Sequence, residues 1–329
     1  MDRIDALAIA ALARDYECRS HADACRAYAS LDGESRDRLR VLARGPSVGL
    51  VHADACFRIG ASHLGDGLPC QDYAVAEAAA VLPFAVVSDG CSSSGRTDVG
   101  SRLVALAAAV ELRAAAEAVD RAAFIRAVAG RAMEAARVLG ASLFDMDATL
   151  AAAQATPGGG AAALLFGDGV VAARFPDRLE VVETDWAGNM PGYPLYAADP
   201  ERMSAFLAQS EAAAARDGRP PCSVRRWRLV GGAAEAVSEE GLSASEGLSG
   251  VAARWSETPD VVAVMSDGAS QVSGADRFEV VSALTAVKSA RTGAFVTRRV
   301  NRALAELARA GSLPVDDLSI AALAAPAGN

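Results

Sequence analysis

The stretch Pro83-Phe84-Ala85-Val86-Val87-Ser88-Asp89-Gly90 is a short apolar run that ends in an aspartate and a glycine. The run is rich in β-branched residues and is bounded by turn-forming residues, which predicts a buried strand. The same ending recurs at Ser266-Asp267-Gly268, after the run Val261-Val262-Ala263-Val264-Met265. Each aspartate is therefore expected at the point where a rigid strand gives way to a loop.

A third acidic site precedes a strand instead of following one. Asp316-Asp317 comes directly before the apolar run 318–323, and Gln71-Asp72 stands at the start of another predicted strand. An Asp-Gly pair after a strand is often only a turn, so the prediction depends on these sites together. Carboxylates at strand ends, distant in sequence, form the oxygen-rich sites that Mg²⁺ and Mn²⁺ prefer. Two such ions about 3.5–4 Å apart can hold a phosphoryl displacement from both sides.

Composition narrows the class of protein. The chain has 329 residues, 52% of them hydrophobic, and a net charge of −9 from 32 basic and 41 acidic residues. An acidic chain gains nothing from counterion release, so we expect no nucleic-acid partner. No apolar run approaches the roughly 20 residues that span a bilayer, and the N-terminus lacks a signal-peptide pattern. We expect a cytoplasmic protein without a membrane partner, and a monomer.

The order of predicted elements indicates two regions. Residues 1–46 are predicted to form an N-terminal helical extension, and residues 47–325 one catalytic domain in which groups of strands alternate with pairs of helices. This grouping favours mixed sheets flanked by helices over a strictly alternating fold. Residues 186–222 are interpreted as an irregular, flap-like insertion with a helical piece near 200–215, because long irregular segments tend to be functional. Residues 236–250 are predicted to be a mobile loop.

With these motifs in order, the chain resembles the metal-dependent serine/threonine protein phosphatases of type 2C, in a divergent, bacterial-like branch. The resemblance runs through residues 58–325, which is most of the chain. Each motif alone is weak, whereas the ordered series is fairly specific. The motifs are Gly60-Ala61-Ser62-His63 with Leu68-Pro69-Cys70-Gln71-Asp72, Val87-Ser88-Asp89-Gly90, Ala148-Thr149-Leu150 with Phe166-Gly167-Asp168-Gly169, Met265-Ser266-Asp267-Gly268, and Asp316-Asp317-Leu318-Ser319.

The resemblance implies an α+β fold, a four-layer αββα sandwich of two mostly antiparallel sheets with helices on the outer faces. It also implies a signalling hydrolase that removes phosphate from phosphoserine and phosphothreonine on proteins, through a hydroxide that bridges two Mn²⁺ or Mg²⁺ ions. A third ion is left open. The implied partners are a phosphoprotein substrate and a serine/threonine kinase or its target.

Site residues follow from the same resemblance. Asp89 would bridge both ions and the Gly90 carbonyl would bind one of them. Asp267 and Asp316 would hold the other ion, and Asp72 would act through a water bound to the metal.

Three departures from the family pattern affect this site. Gln71 stands where the family usually has a metal-facing glutamate, which should weaken the second ion. Gly67 stands where the family often has an arginine that grips phosphate. Cys91-Ser92-Ser93-Ser94 follows Gly90, where members often carry a histidine. His63 and Arg96 are the candidates to contact phosphate or donate a proton in its place.

Alternatives remain beside this interpretation. Asp145-Met146-Asp147-Ala148-Thr149 matches the Asp-x-Asp-x-Thr motif of haloacid dehalogenase-like phosphatases, but that motif needs a preceding strand, and 132–143 is predicted to be helical. A turn between a helix and a strand explains it better.

Cys18, His21 and Cys25 share one helical face and could bind zinc, although packing is the simpler explanation. A non-enzymatic alternative is a phosphatase-like regulatory module that binds a phosphoprotein or a kinase with weak catalysis.

Overall fold

Strands account for the centre of the molecule. In the computed structural model, residues 21–33, 35–36, 49–115, 117, 119–288 and 290–327 are described. The strands are β1 (His52–Arg58), β2 (Asp72–Glu77), β3 (Phe84–Asp89), β4 (Leu150–Ala155), β5 (Ala161–Phe166), β6 (Gly169–Arg174), β7 (Leu179–Trp186), β8 (Cys222–Val230), β9 (Ala233–Leu242), β10 (Val251–Trp255), β11 (Val261–Met265) and β12 (Leu318–Ala324).

Helices connect and cover these strands. They are α1 (His21–Ser30), α2 (Ala61–Asp66), α3 (Thr97–Ala114), α4 (Arg121–Leu139), α5 (Pro200–Asp217), α6 (Ala244–Leu248), α7 (Arg277–Thr285) and α8 (Phe295–Arg309). Short 3₁₀ turns occur at Phe144–Met146, Ala187–Asn189, Pro194–Ala198 and Asp267–Ala269.

The strands form two sheets. Sheet A has seven strands in the order β1-β12-β11-β6-β7-β8-β9, and sheet B has five in the order β10-β5-β4-β3-β2. Every paired strand is antiparallel to its neighbour. Sheet A is the wider of the two.

Three apolar clusters divide the sandwich into layers. One cluster lies between the sheets and includes Val87 of sheet B and Val264 of sheet A. A second joins the outer face of sheet B to α3 and α4, and a third joins the outer face of sheet A to α7 and α8. The layers are therefore helices, sheet, sheet and helices, which confirms the predicted α+β fold with four layers.

The side chains of strand β4 are divided between two of these clusters. Successive side chains of a strand point to opposite faces. Ala151, Ala153 and Ala155 accordingly pack between the sheets, whereas Leu150 and Ala152 pack under the outer helices. A strand that is buried on both faces has a nearly continuous apolar sequence, and β4 has one except for Gln154.

Two boundaries differ from the sequence prediction. The predicted mobile loop at 236–250 is wrong, since those residues form the second half of β9, the capped helix α6 and the turn into β10. The helix predicted to continue through 132–143 stops at Leu139, because Gly140 adopts the left-handed φ of 67° that ends a helix.

Two other predictions fall mostly or wholly outside the described residues. Most of the predicted extension at 1–46 lies there, apart from α1 and a few neighbours. The zinc hypothesis needs Cys18 and the side chain of His21, which also lie outside the described part of the chain. Among the described helices, none has the length and apolar character to cross a membrane.

Gly100 provides a test of the packing beneath α3. A Cβ at this position would overlap the carbonyl oxygen of Asp145. Gly100→Ala is therefore expected to destabilise the protein by about 1–3 kcal/mol through overpacking, although alanine is ordinarily the better helix former. Urea unfolding measures the free energy.

Gly130 of α4 is the matched control, since a Cβ there meets no heavy atom within 4 Å. Gly130→Ala should stabilise the protein by about 0.5–1 kcal/mol. Stabilisation by both substitutions would contradict the close contact between α3 and the turn at Phe144–Met146.

Candidate metal centre

Asp89 and Asp72 face each other at the ends of adjacent strands. Asp89 is the last residue of β3 and Asp72 the first of β2, and the antiparallel register places them directly opposite. The backbone beyond Asp89 is held by Thr149, whose N–H donates to the Asp89 carbonyl at 2.8 Å. Two acidic side chains therefore project from one edge of sheet B.

Gly90 is required for space. Its φ is not in the left-handed region, but a Cβ there would lie 2.7 Å from the Thr97 carbonyl oxygen. Its N–H donates to the Gln71 carbonyl at 3.2 Å, and no described group donates to its own carbonyl oxygen. The Gly90 carbonyl oxygen is thus without a hydrogen-bond donor in the described ranges, and its role as a metal ligand stays a prediction.

Asp267 and Asp316 come from neighbouring strands of sheet A. Asp267 follows β11 and Asp316 precedes β12, which pair with each other. Burial raises the pKa of Asp267, and the charge of Asp316 adds to this effect. The Gln271 amide donates to Asp267 Oδ2 at 2.6 Å. The structure therefore brings these two predicted ligands close together.

Ser266 connects the two sheets at this edge. Its hydroxyl donates to Asp72 Oδ2 at 2.7 Å and accepts the N–H of Ser319 at 3.0 Å. Ser266 and Ser319 belong to the sheet A side, Asp72 belongs to sheet B, and all three are buried. The serine of the second Ser-Asp-Gly thus fixes a carboxylate of the opposite sheet.

Asp168 is a member of this cluster that sequence reasoning missed. It lies between β5 and β6, and burial together with the charge of Asp267 raises its pKa well above the usual range. The sequence pattern that could have identified Asp168 is Gly167-Asp168-Gly169, another Asp-Gly pair after an apolar strand. Both glycines have positive φ, 90° and 146°, which only glycine adopts easily.

The carboxyl groups of this cluster are protonated more readily than ordinary ones. Burial raises the pKa of Asp72 to about 7, although the hydrogen bond from Ser266 opposes this rise. Burial and the charges of Asp72, Asp267 and Asp168 raise the pKa of Asp89 well above its usual range. Without a cation, the folded protein therefore retains protons on this cluster at pH values where free aspartates have lost them.

The donor set fits divalent cations. Among the described residues, no basic side chain forms an ion pair with Asp72, Asp89, Asp168, Asp267 or Asp316. Asp72 Oδ1 and Gln71 Oε1 are buried without a hydrogen-bond partner in the described ranges. Carboxylates without counter-charges, beside free carbonyl-type oxygens, are ligands that Mg²⁺ and Mn²⁺ take.

Asp317 acts as a scaffold for the cluster. Its Oδ1 accepts the N–H of Gly60 at 2.7 Å, and its Oδ2 accepts the N–H of Gln71 at 2.6 Å. His63 Nδ1 lies 2.9 Å from the same Oδ2. His63, Asp316 and Asp317 offer ligand atoms within 4.8 Å of one another, but both Asp317 oxygens already accept backbone hydrogen bonds. The buried His63 therefore contacts the scaffold.

Arg96 lies on the loop after Gly90. Its side chain is 76% exposed, and its Nη2 is 3.8 Å from Asp145 Oδ2. The Arg96 N–H also donates to Asp145 Oδ1 at 2.6 Å, so Asp145 fixes the start of α3. Hydrogen bonds from the backbone of Arg96 and Ser142 lower the pKa of Asp145.

Asp147 anchors the segment that was predicted as a flap. Arg202 of α5 donates to both Asp147 oxygens, at 2.7 and 2.8 Å, and Ser94 donates to Asp147 Oδ2 at 2.7 Å. The two aspartates of the Asp-x-Asp-x-Thr match are thus structural groups in a turn between a helix and a strand. Their positions confirm the preferred explanation of that match.

Tyr193 brings the same segment close to the cluster. Burial raises its pKa, and the neighbouring Cys91 thiol and the charge of Asp168 add to this effect. A cavity of about 230 Å³ is lined by Asp168 and Asp267 together with Arg225 and Arg277. Two arginines therefore line the same cavity as two members of the acidic cluster.

Comparison with known proteins identifies the family. The family model for protein phosphatase 2C matches residues 59–309, well over half of the chain. The chain therefore belongs to the protein phosphatase 2C family. Family and fold together support a protein phosphatase.

Solved structures resemble this chain at low sequence identity. A point mutant of a bacterial serine phosphatase is 11% identical with a TM-score of 0.50, and the match covers 84% of this chain and 98% of that one. PstP/Ppp from Mycobacterium tuberculosis is 15% identical with a TM-score of 0.48, covering 84% and 99%. Stp1 from Staphylococcus aureus is 13% identical with a TM-score of 0.47, covering 85% and 98%. No curated protein matches the sequence significantly.

The raised pKa values predict how stability depends on pH when cations are removed. Carboxyl groups with raised pKa values bind more protons in the folded state than in the unfolded state. They therefore stabilise the fold most below about pH 4, and this stabilisation is lost as pH rises through the folded-state pKa, which is about 7 for Asp72. In EDTA, the melting temperature should fall between about pH 5 and pH 7.5. Mn²⁺ should raise it more at the upper end of this range, because cations compete with protons.

Asp89→Asn is the informative variant for this prediction. Removing one of several like charges should raise the melting temperature in EDTA near pH 7.5 by about 2–4 °C and reduce the shift caused by Mn²⁺. A lower melting temperature in EDTA, together with an unchanged Mn²⁺ shift, would rule out mutual repulsion at this cluster.

Adjacent aspartates should behave differently when each is changed to asparagine. Asp317→Asn places an amide N–H₂ against a backbone donor of Gly60 or Gln71, and should destabilise the cation-free protein by about 1–3 kcal/mol. From the described residues Asp316 accepts only the Asp317 N–H, through Oδ1, so Asp316→Asn should change stability little in EDTA while reducing the Mn²⁺ shift. Equal losses in urea unfolding would contradict the scaffold role of Asp317.

Proposed function

We propose that this protein hydrolyses phosphoserine and phosphothreonine on proteins, and that its activity depends on Mn²⁺ or Mg²⁺. One observation carries the proposal: carboxylates from both sheets converge at one edge without basic partners in the described ranges. Membership of the protein phosphatase 2C family supports the reaction class. The bacterial enzyme compared above is described as a serine phosphatase, which agrees with this substrate class.

The ligands divide between the sheets in this proposal. Asp89 would contribute to both ions, since it lies opposite Asp72 of sheet B and its carboxyl group senses the charge of Asp267 from sheet A. Asp267 and Asp316 hold one ion from sheet A. The Gly90 carbonyl and Gln71 Oε1 are available to the other ion from sheet B. Asp168 is available to a third ion.

Protein side chains would complete the chemistry around the ions. Two bound ions supply a hydroxide nucleophile at neutral pH and neutralise phosphoryl charge. Ser266 holds Asp72 through Oδ2, which leaves Oδ1 to accept a hydrogen bond from water in the site. Asp72 thus orients the water that reacts.

Phosphate contact is assigned to Arg96 in this proposal. Its exposed side chain stands on the loop after Gly90, and its ion pair with Asp145 is long at 3.8 Å. His63 contributes indirectly, through Asp317. Arg225 and Arg277 line the adjoining cavity, where Glu239 lies 2.9 Å from Arg225 and Glu183 lies 2.9 Å from Arg277. Both arginines are suited to contact substrate residues on either side of the phosphorylated one.

A phosphothreonine peptide tests the proposal directly. With Mn²⁺ the protein should release phosphate, and EDTA should abolish this. Asp89→Ala and Asp267→Ala should each reduce kcat/KM by about 100-fold or more, since each removes a metal ligand. Asp177→Ala, at an exposed surface carboxylate, is the matched control and should be unchanged.

The possible outcomes separate the two functions. Full activity in EDTA, or in either ligand variant, would refute the metal mechanism. Tight Mn²⁺ binding without any turnover would instead favour the regulatory module that binds a phosphoprotein or a kinase.

Gln71→Glu tests whether this side chain faces an ion. The substitution adds a negative charge beside the cluster and should tighten Mn²⁺ binding by about 10-fold, measured by calorimetry. Gln154→Glu, which adds the same charge at a buried position on β4, is the control for effects of charge alone. An identical Mn²⁺ affinity in wild type and Gln71→Glu would remove Gln71 from the metal site.

Other expectations from sequence remain predictions. A kinase partner, a cytoplasmic location, a monomeric state and the role of residues 186–222 as a flap are all consistent with this function, and each requires its own experiment.

A further inference from the structure

A second site lies on the outer face of sheet B. A cavity of about 350 Å³ has β4, β5 and β10 as its floor. Its walls come from Leu112 at the end of α3 and from Val119 and Arg121 near the start of α4. Gln154, on the floor, is five residues along β4 from Thr149, which bonds to Asp89. The cavity is therefore about 16 Å from the acidic cluster.

The floor consists of two rows of side chains across three strands. Residues directly opposite in antiparallel strands point to the same face. One row is Gln154, Ala162 and Arg254, and the next is Ala152, Leu164 and Ala252. The alanines create a depression between larger neighbours. Gln154 and Arg254 stand at its two sides, two strand spacings or about 10 Å apart.

Gln154 presents an unpartnered acceptor to this depression. Its side chain is only 3% exposed, and its Nε2 donates to the Leu112 carbonyl at 3.3 Å. Its Oε1 has no hydrogen-bond partner among the described residues. Buried polar atoms are nearly always paired, so this oxygen calls for a donor from outside the described protein.

Arg254 presents an unpaired cation on the opposite side. It forms no hydrogen bond or ion pair with any residue of the described ranges, whereas the neighbouring Arg121 donates to the Gly250 carbonyl at 2.6 Å. The single acidic side chain of the lining is Asp120, and its carboxylate caps α4 by accepting the Ala123 N–H. The charge still available in this cavity is therefore positive.

We propose that this cavity binds a small amphipathic organic anion. The acid group pairs with Arg254, an N–H or O–H of the ligand donates to Gln154 Oε1, and an apolar body lies on the alanine floor. Cavities that are mostly apolar with a few fixed polar groups are typical of small-molecule sites. This site is separate from the proposed metal centre and does not depend on the function proposed for it.

The fluorescent probe 8-anilinonaphthalene-1-sulfonate combines the three required features, namely an apolar ring system, an anionic sulfonate and an N–H donor. Titration should show one dominant site for each chain. Octanoate should displace the probe, and octanol, which lacks the charge, should do so at least about 10-fold less well.

Substitutions in the cavity test whether the probe binds there. Arg254→Ala should weaken probe binding about 10-fold, and Gln154→Leu, which keeps the shape but removes the acceptor, about 5-fold. Ala162→Phe fills the floor and should abolish binding. Arg226→Ala is the matched control, because Arg226 lines only the neighbouring cavity, which shares Ala252 and Arg254 with this one, and the affinity of this variant should equal that of wild type.

Folding of each variant is checked by thermal melting. Ala252→Trp fills the same floor from an exposed position, so it replaces Ala162→Phe if that variant does not fold. Probe binding that is unchanged in both Arg254→Ala and Ala252→Trp would overturn the proposal. Several equivalent probe molecules for each chain would do so too, since they would indicate general apolar adsorption.

Discussion

Mutual repulsion among closely placed carboxylates, of which Asp72 is buried and the others are partly buried, is the constraint to which the rest of this structure responds. Asp72 and Asp89 come from sheet B, Asp267 and Asp316 from sheet A, and Asp168 from the connection between the sheets. Like charges at close range oppose one another most strongly where water is excluded. The sandwich nevertheless holds them together, because the two sheets bury a shared apolar layer on which the strand ends depend. A divalent cation would turn this repulsion into attraction.

Hydrogen bonds between distant segments provide the precision that apolar packing lacks. Ser266 reaches from one sheet to Asp72 of the other, and Asp317 gathers the backbone of Gly60 and Gln71. Each is a buried bond with a charged acceptor, which is stronger and more directional than a neutral one. The two Ser-Asp-Gly copies therefore have different supporting roles: Ser88 bonds within its own sheet, to the Thr149 carbonyl, whereas Ser266 joins the sheets.

Much of this arrangement was predictable from the sequence, because an apolar run that ends abruptly in an acidic residue indicates both a strand and a site residue at its end. Asp168 was missed as a ligand because Asp-Gly between two strands is equally typical of a hairpin turn. Strand β9 was missed because nearly all of its residues are exposed, so no alternation of apolar and polar residues marks it, and pairing with β8 creates it. The supporting roles of Asp145, Asp147 and Asp317 depend on contacts with segments far away in the chain, which spacing alone does not reveal.

The distribution of the acidic cluster along the chain also has a consequence for folding kinetics. Its members extend from Asp72 to Asp316, so the site forms only after segments separated by most of the sequence have met. Contacts of such high sequence separation form slowly, because the entropy of loop closure is lost before they contribute. We therefore expect the metal centre to be assembled late, after each sheet has paired. An ion would then act as a clamp on the finished sandwich and would slow unfolding more than it speeds folding.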